Sequence, residues 1–212
     1  MKIIDLSLTI DNKMRGVDVR QAKTIAHEGW NATTLELYSH CGTHMDAPVH
    51  FVDNAATIDQ QDLRVCVGSA LVIDLTQNGP VSDGELITVE HLVSYHSQIT
   101  AGSRLLLRTD WHTRYGTEAY RDALPRISIE LARWLVDRKV AMIGVEPPSV
   151  ADVNNVAELT DVHQTLFRGG VLIVEGLTNL NQISESVVQF VALPMKITGG
   201  DGSPVRAIAI EE

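Results

Sequence analysis

The chain predicts a mixed α/β fold: one domain, 1–212, with a mixed sheet and short flanking helices. Two observations carry this. Short apolar runs with strand character alternate with helical patterns through the middle of the chain, and strand patterns dominate both ends. No internal repeat, low-complexity tract or linker divides the sequence.

In order, residues 2–9 (KIIDLSLT) read as a strand, 11–30 as a polar, irregular arm, and 33–38 (TTLELY) as an alternating strand with Leu35 and Leu37 on one face. Residues 39–51 (SHCGTHMDAPVHF) have neither period and contain Gly42 and Pro48, so they predict a shaped loop. The apolar run 69–75 is a buried strand. Thr88 is placed to cap a helix reaching about Gln98, and 104–109 is a strand. Ser128 caps a second helix over 129–139, whose apolar residues Ile129, Leu131, Ala132 and Leu135 recur at helical spacing; the strand 140–145 follows. Thr160 is placed to cap a third helix, 161–168, stopped by Gly169. Strands at 171–177, 187–193 and 205–210 complete the chain, the last two separated by GGDGSP.

Composition excludes several functions. Hydrophobic residues make up 44% and charged residues 21%, ordinary for a globular chain. The formal net charge of −10 repels a phosphate backbone, so no nucleic-acid partner is expected. No apolar run reaches the ~18 residues of a membrane span, and the N-terminus lacks the long apolar segment of a signal peptide. Two cysteines, Cys41 and Cys66, are too few for a disulfide scaffold, and neither has a C-x-x-C partner. A reducing, cytoplasmic setting and a small-molecule substrate are the expectation.

Metal-ligand chemistry is concentrated in two places. His40, His44 and His50 fall within eleven residues, with Asp46 among them. Imidazole and carboxylate together suit zinc, manganese or iron. A straight strand would set these even-numbered positions on one face, but four residues of strand span ~13 Å, too far for His40 and His44 to share an ion. Gly42 and Pro48 disfavour a helix. The chain must bend, and Gly42 is best able to permit it. Singly, each histidine would read as a surface or capping residue; three in one window beside an aspartate favour a metal.

The second place is Glu175, inside the apolar run VLIVEGL. A carboxylate on a strand buried on both faces costs several kcal/mol unless a cation meets it. No lysine or arginine is close in sequence, which leaves a metal or a distant arginine. His163, twelve residues upstream, falls in the expected first turn of the preceding helix, where it is a helix-end residue or a partner of Glu175 at one site.

The residues from His40 to His50, HCGTHMDAPVH, resemble the H-x-G-T-H-x-D-x-P-x-H signature of the metal-dependent cyclase-like hydrolases, which include the bacterial kynurenine formamidases and the isatin hydrolases. RTDWHTRYGTEAY, IGVEPPSVAD and the block from His163 to Leu180 resemble further segments of that family, so the likeness covers most of the chain. The resemblance implies a swivelling β/β/α fold, assembled as a homodimer or higher homo-oligomer. It implies one or two divalent ions, Zn2+ or Mn2+, held by His40, His44, Asp46, His163 and Glu175, with Asp46 bridging where two bind. His50 would be the catalytic acid/base, passing a proton to the leaving nitrogen; its alternatives are a ligand or a residue orienting one. The implied activity is an amidohydrolase of the arylformamidase type, cleaving a small amide, N-formyl amide or cyclic amide with a metal-activated water.

Two departures stand out. Glu146 occupies a position where that family more often has aspartate, and the arm LTIDNKMRGVDVR lacks a Trp-Pro-Gly-Asp-like stretch that helps form an aromatic pocket. The second departure motivates an alternative, a hydrolase or lactonase for a non-aromatic substrate. A third reading, a metal-binding module without catalysis, is disfavoured by the absence of thiolate ligands and by the spare histidine. His91, His96, Trp111, His112 and Cys41 receive no functional role.

Overall fold

The computed structural model describes residues 1–77, 79 and 81–212. Its strands are β1 (Lys2–Asp5), β2 (Val17–Lys23), β3 (Ala32–Leu37), β4 (His44–Asp46), β5 (Val67–Asp74), β6 (Leu86–Ile87), β7 (Arg104–Arg108), β8 (Arg126–Ile127), β9 (Met142–Val145), β10 (Leu172–Glu175), β11 (Val187–Pro194) and β12 (Gly202–Glu211). The α-helices are α1 (Ile25–Glu28), α2 (Ala119–Asp122), α3 (Ile129–Asp137) and α4 (Val156–Arg168). The expected mixed α/β architecture forms. Eight strands make one sheet in the order β1-β12-β11-β5-β7-β9-β10-β4. The neighbours β5, β7, β9 and β10 are parallel, and the flanking pairs are antiparallel. Because β4 also pairs with the start of β12, the sheet closes on itself.

Each parallel strand buries both faces, as its apolar run implies. On β7, Leu105 and Leu107 pack outward against Leu131 and Leu135 of α3 and Leu166 of α4, while Leu106 points into the closed ring beside Phe190 and Ala207. Period-two alternation governs the site in the same way. Met45 of β4 and Val174 of β10 enter the ring core. Their neighbours His44, Asp46 and Glu175 therefore face the opposite side, toward α4.

Four local expectations are corrected. The arm 11–30 is not wholly irregular: it contains β2, paired antiparallel to β3, and the one-turn α1. Its order comes from the strand ladder and from Asn12, whose side chain accepts from Val19 N (2.6 Å) and donates to Val19 O (3.0 Å). These contacts leave no apolar stripe for a periodicity reading to find. Ile25, Trp30, Leu35 and Tyr38 of this hairpin are exposed. The segment 39–51 is not all loop, since residues 44–46 form β4 between two partners. The helix expected from Thr88 is a 3-10 helix that stops at Tyr95, its first turn held by Thr88 N donating to His91 Nδ1 at 3.0 Å.

The third helix begins at Val156, not after Thr160; Asn155 caps it by accepting from Glu158 N at 3.3 Å. Val156 is exposed and Glu158 polar, which hides the helical period of this first turn. His163 consequently lies about two turns into α4, on its buried face, and not at the helix end. The cap on α3 forms as expected, with Leu131 N donating to Ser128 Oγ at 3.0 Å.

Candidate metal centre

All five residues expected to hold metal come together with His50 at the carboxyl end of β10, the end of a parallel strand where α/β folds commonly carry their sites. Strand pairing does most of the assembly. His44 stands directly across from Glu175 and Asp46 from Ile173, so β4 delivers one imidazole and one carboxylate to the face that Glu175 occupies. Gly42 turns the chain with φ +61°, bringing His40 back beside them. Thr43 pins that bend: its hydroxyl donates to Gly176 O and accepts from Leu8 N. Above the strands, α4 supplies His163, and Gln164 Nε2 donates to Phe51 O at 3.0 Å, tying the His50 segment to the same helix. The Phe51 ring stacks on His163 at 4.2 Å between centroids.

The donor atoms form two trios that share Asp46: His40, His44 and Asp46, and Asp46, His163 and Glu175. His44 Nε2 lies 3.3 Å from both Asp46 Oδ1 and Glu175 Oε2. His163 Nε2 lies 3.7 Å from Asp46 Oδ2 and 3.5 Å from Glu175 Oε1. The other nitrogens are committed. His44 Nδ1 donates to Gly42 O at 3.1 Å, and His163 Nδ1 donates to Leu159 O at 2.7 Å. A carbonyl only accepts, so in the neutral rings both Nε2 atoms turn a lone pair toward carboxylate oxygens.

That arrangement is repulsive unless something positive sits between. A proton would draw the partners to about 2.7–2.9 Å. The His44 and His163 gaps instead match ligands spaced around one ion, since two donors at ~2.1 Å in tetrahedral array lie about 3.4 Å apart, while His40 Nδ1 keeps a hydrogen bond to Asp46 Oδ1 at 2.7 Å. The donor set therefore fits a divalent cation.

Electrostatics within the cluster agree. Burial disfavours the charged form of His44, but Asp46 and Glu175 outweigh it and raise its pKa well above the ordinary value. Burial would raise Asp46, yet the imidazoles of His40 and His44 hold it well below the usual carboxylate range. Glu175 is raised by burial and by Asp46, then brought below its ordinary value by His163 and His44. His163 is raised by Glu175 against its burial. His50 goes the other way. Burial and the nearby imidazoles lower it, with Asp46 and Asp201 opposing them.

The sequence similarity agrees with this geometry. Residues 4–152 match the family described as putative cyclase. The chain belongs to that family. Over 178 residues it is 35% identical to a kynurenine formamidase of Bacillus cereus, spanning 84% of this chain and 79% of that protein. Its fold is similar to isatin hydrolase A from Ralstonia solanacearum, with a TM-score of 0.89, 26% identity, and coverage of 100% of this chain and 92% of that one. It is also similar to a predicted metal-dependent hydrolase from Bacillus stearothermophilus, with a TM-score of 0.79, 26% identity, and coverage of 98% and 97%.

One residue at this cyclase-family site, and one buried acid away from it, escaped the sequence reading. Asp201 comes from the turn before β12, and its Oδ2 lies 3.3 Å from His40 Nε2 and 3.7 Å from His50 Nδ1. Nothing in GGDGSP distinguishes it from a turn aspartate; only the β12–β4 pairing brings it here. Glu146, noted only as a departure, is fully buried one residue beyond β9. Its Oε2 accepts from Thr109 N (2.7 Å), Thr109 Oγ1 (2.8 Å) and Trp111 N (3.2 Å), and its Oε1 meets His112 Nδ1 at 2.8 Å. That hydrogen bond raises the His112 pKa. Although Asp110, His112 and Glu146 cluster, the glutamate's acceptors are already used in ordering the loop after β7.

The site depends on a close backbone crossing. Gly176 has φ +67°, and a Cβ there would stand 2.5 Å from Gly42 O. Gly176→Ala is expected to cost at least about 2 kcal/mol through strain and collision. Thermal unfolding would show this as a Tm lower by roughly 4–8 °C; an unchanged Tm would mean the crossing does not constrain the fold.

Proposed function

We propose that this chain is a metal-dependent hydrolase that opens a small amide, N-formyl amide or cyclic amide with an activated water. The observation that carries the reading is the pair His44 and His163. Each gives its Nδ1 proton to a backbone carbonyl and turns Nε2 toward Asp46 and Glu175 across gaps that suit an ion. His40, His44, Asp46, His163 and Glu175 would hold it, and two trios sharing Asp46 would leave room for a second ion. Nitrogen and oxygen donors without thiolate suit Zn2+ or Mn2+. The activities named for the relatives, kynurenine formamidase and isatin hydrolase, support amide cleavage.

When bound, a divalent cation supplies Lewis acidity: it makes water acidic enough to ionise near neutral pH and offsets charge on the attacked carbonyl oxygen. The chain's own residues do the rest. The candidate ligands are nearly sealed, with Asp46 1%, His44 3% and His163 2% exposed, whereas His50 is 26% exposed and Asp201 47%. Substrate approaches from that open side. With Nδ1 turned toward Asp201, His50 Nε2 is the atom that takes a proton from water and returns it to the leaving nitrogen. An open side and a free imidazole argue against an ion that only braces the fold.

One observation favours a non-aromatic substrate or a lactone as the second reading. Beside Gly42 the arm presents the non-aromatic Ile10 and Met14, and the rings near the donors, Tyr38 and Phe51, come from outside it. The exposed Ile25, Trp30, Leu35 and Tyr38 of the β2–β3 hairpin support contact with a second copy of the chain. Cys41 and Cys66 are both free and buried, in keeping with a reducing cytoplasmic setting. Among the described residues no helix is long and apolar enough to cross a membrane.

Loaded separately with zinc and manganese, the protein is expected to hydrolyse N-formylkynurenine or isatin, to lose turnover on chelation and to regain it on metal return. Turnover of lactones alone would favour the second reading, and inertness toward every amide and ester tried would sink the hydrolase assignment. His50→Ala should keep its metal by elemental analysis while losing roughly 10²–10⁴-fold in rate; loss of metal in that variant would make His50 a ligand. Light scattering should give a dimeric or larger mass, and a monomer would leave the hairpin without its assigned contact.

A further inference from the structure

His40 is unusual in facing a carboxylate with each ring nitrogen. Nδ1 lies 2.7 Å from Asp46 Oδ1, and Nε2 lies 3.3 Å from Asp201 Oδ2. A neutral imidazole carries one proton, so one of these nitrogens donates and the other presents a lone pair. Asp46 is the centre of the cluster, already facing His44 Nε2 and His163 Nε2. At 2.7 Å the Nδ1–Asp46 contact is a hydrogen bond with the proton between them, so for His40 to contribute to an ion there that proton must give way and Nε2 must carry the ring's proton. Nε2 is buried and lacks an aligned hydrogen-bond partner, although the Asp201 carboxylate stands within reach.

The position of Asp201 is built, not incidental. Its carbonyl accepts from Ala47 N at 2.9 Å, joining the turn before β12 to the residue that follows β4. The next residue, Gly202, pairs with Asp46 across the strands. A Cβ on Gly202 would lie 2.6 Å from His40 Cε1, so the imidazole packs directly on the backbone that carries Asp201. His50 stacks on His40 with ring centroids 3.8 Å apart, and the same Oδ2 of Asp201 lies 3.7 Å from His50 Nδ1. One carboxylate oxygen thus addresses two parallel imidazoles, one a candidate ligand and the other the candidate proton carrier.

We propose that Asp201 is a positioning residue that accepts the Nε2 proton of His40, selecting the tautomer whose Nδ1 faces the cation, and orients His50 beside it. The inference rests on the metal-dependent reading above. A carboxylate behind a ligating imidazole holds the ring and raises its basicity, and replacing such a partner typically weakens metal binding by about 10–100-fold. Asp201 does not itself touch the reacting atoms.

The test separates this role from simple structural support. Protein stripped of metal is titrated with Zn2+ against a chromogenic chelator, for the wild type, Asp201→Asn and Asp201→Glu. Asp201→Asn is expected to bind zinc about 10–100-fold more weakly, with the Tm of the metal-free protein unchanged. Asp201→Glu, which keeps a charged acceptor where the Asn amide oxygen is a weaker one, should recover part of the affinity. Wild-type affinity in Asp201→Asn would overturn the proposal, since the carboxylate would then contribute nothing to the ligand. A weaker affinity accompanied by an equal loss of metal-free stability in both variants would also overturn it, in favour of a structural role. If the wild type itself bound no zinc or manganese, the metal-dependent reading would fail, a result distinct from tight binding in both forms.

Discussion

Asp46 and Glu175 are buried close enough to disfavour each other's ionisation, and that repulsion is the constraint on which the site turns. Two sequestered carboxylates cost several kcal/mol each in desolvation before they act on one another. No lysine or arginine pairs with either among the described residues. Val150 N donates to Glu175 Oε1 at 2.8 Å, and imidazoles surround the pair from three directions: His40 from beyond the Gly42 bend, His44 from β4 and His163 from α4. Backbone carbonyls then commit the distal nitrogens of His44 and His163. The cluster is left demanding positive charge at its centre, where two carboxylates and the two Nε2 atoms converge.

The sheet makes this demand geometrically possible. A three-residue strand would be negligible on its own, but β4 fits between β10 and β12 and closes the ring. Alternation then divides its residues: Met45 contributes to the hydrophobic core, while His44 and Asp46 face outward. The energy that holds the carboxylates near one another is therefore the burial of Met45, Val174 and their neighbours inside the ring. Site and core share one short strand, so a change that loosens the ring should disturb the donors at the same time.

Much of this was legible in the sequence because it depends on local chemistry. Three histidines and an aspartate around a glycine, and a glutamate in an apolar strand, each announce a need that ordinary packing does not meet. The buried parallel strands and the Ser128 cap were legible for the same reason. The misreadings have physical causes. The β2–β3 hairpin rests on ladder bonds and Asn12, not on an apolar face. The first turn of α4 is polar and exposed, so its period begins too late to detect. Residues 44–46 become a strand only because β10 and β12 lie on either side, information separated from them by well over a hundred residues. Asp201 belongs to this class: an aspartate in a glycine-rich turn has no local mark of function.

The distribution of exposure carries the last step from site to activity. An ion that merely braced a fold would be closed on every side by protein donors. Here sealing is one-sided. Asp46, His44, His163 and Glu175 lie beneath α4 and the stacked Phe51 ring, while His50 and Asp201 border solvent. The buried side lowers the local dielectric and strengthens every interaction with a charged centre. The exposed side admits a small substrate and keeps an imidazole within reach of it. Such a division suits hydrolysis, in which water must be ionised where it is held and a proton must then travel outward to the departing group.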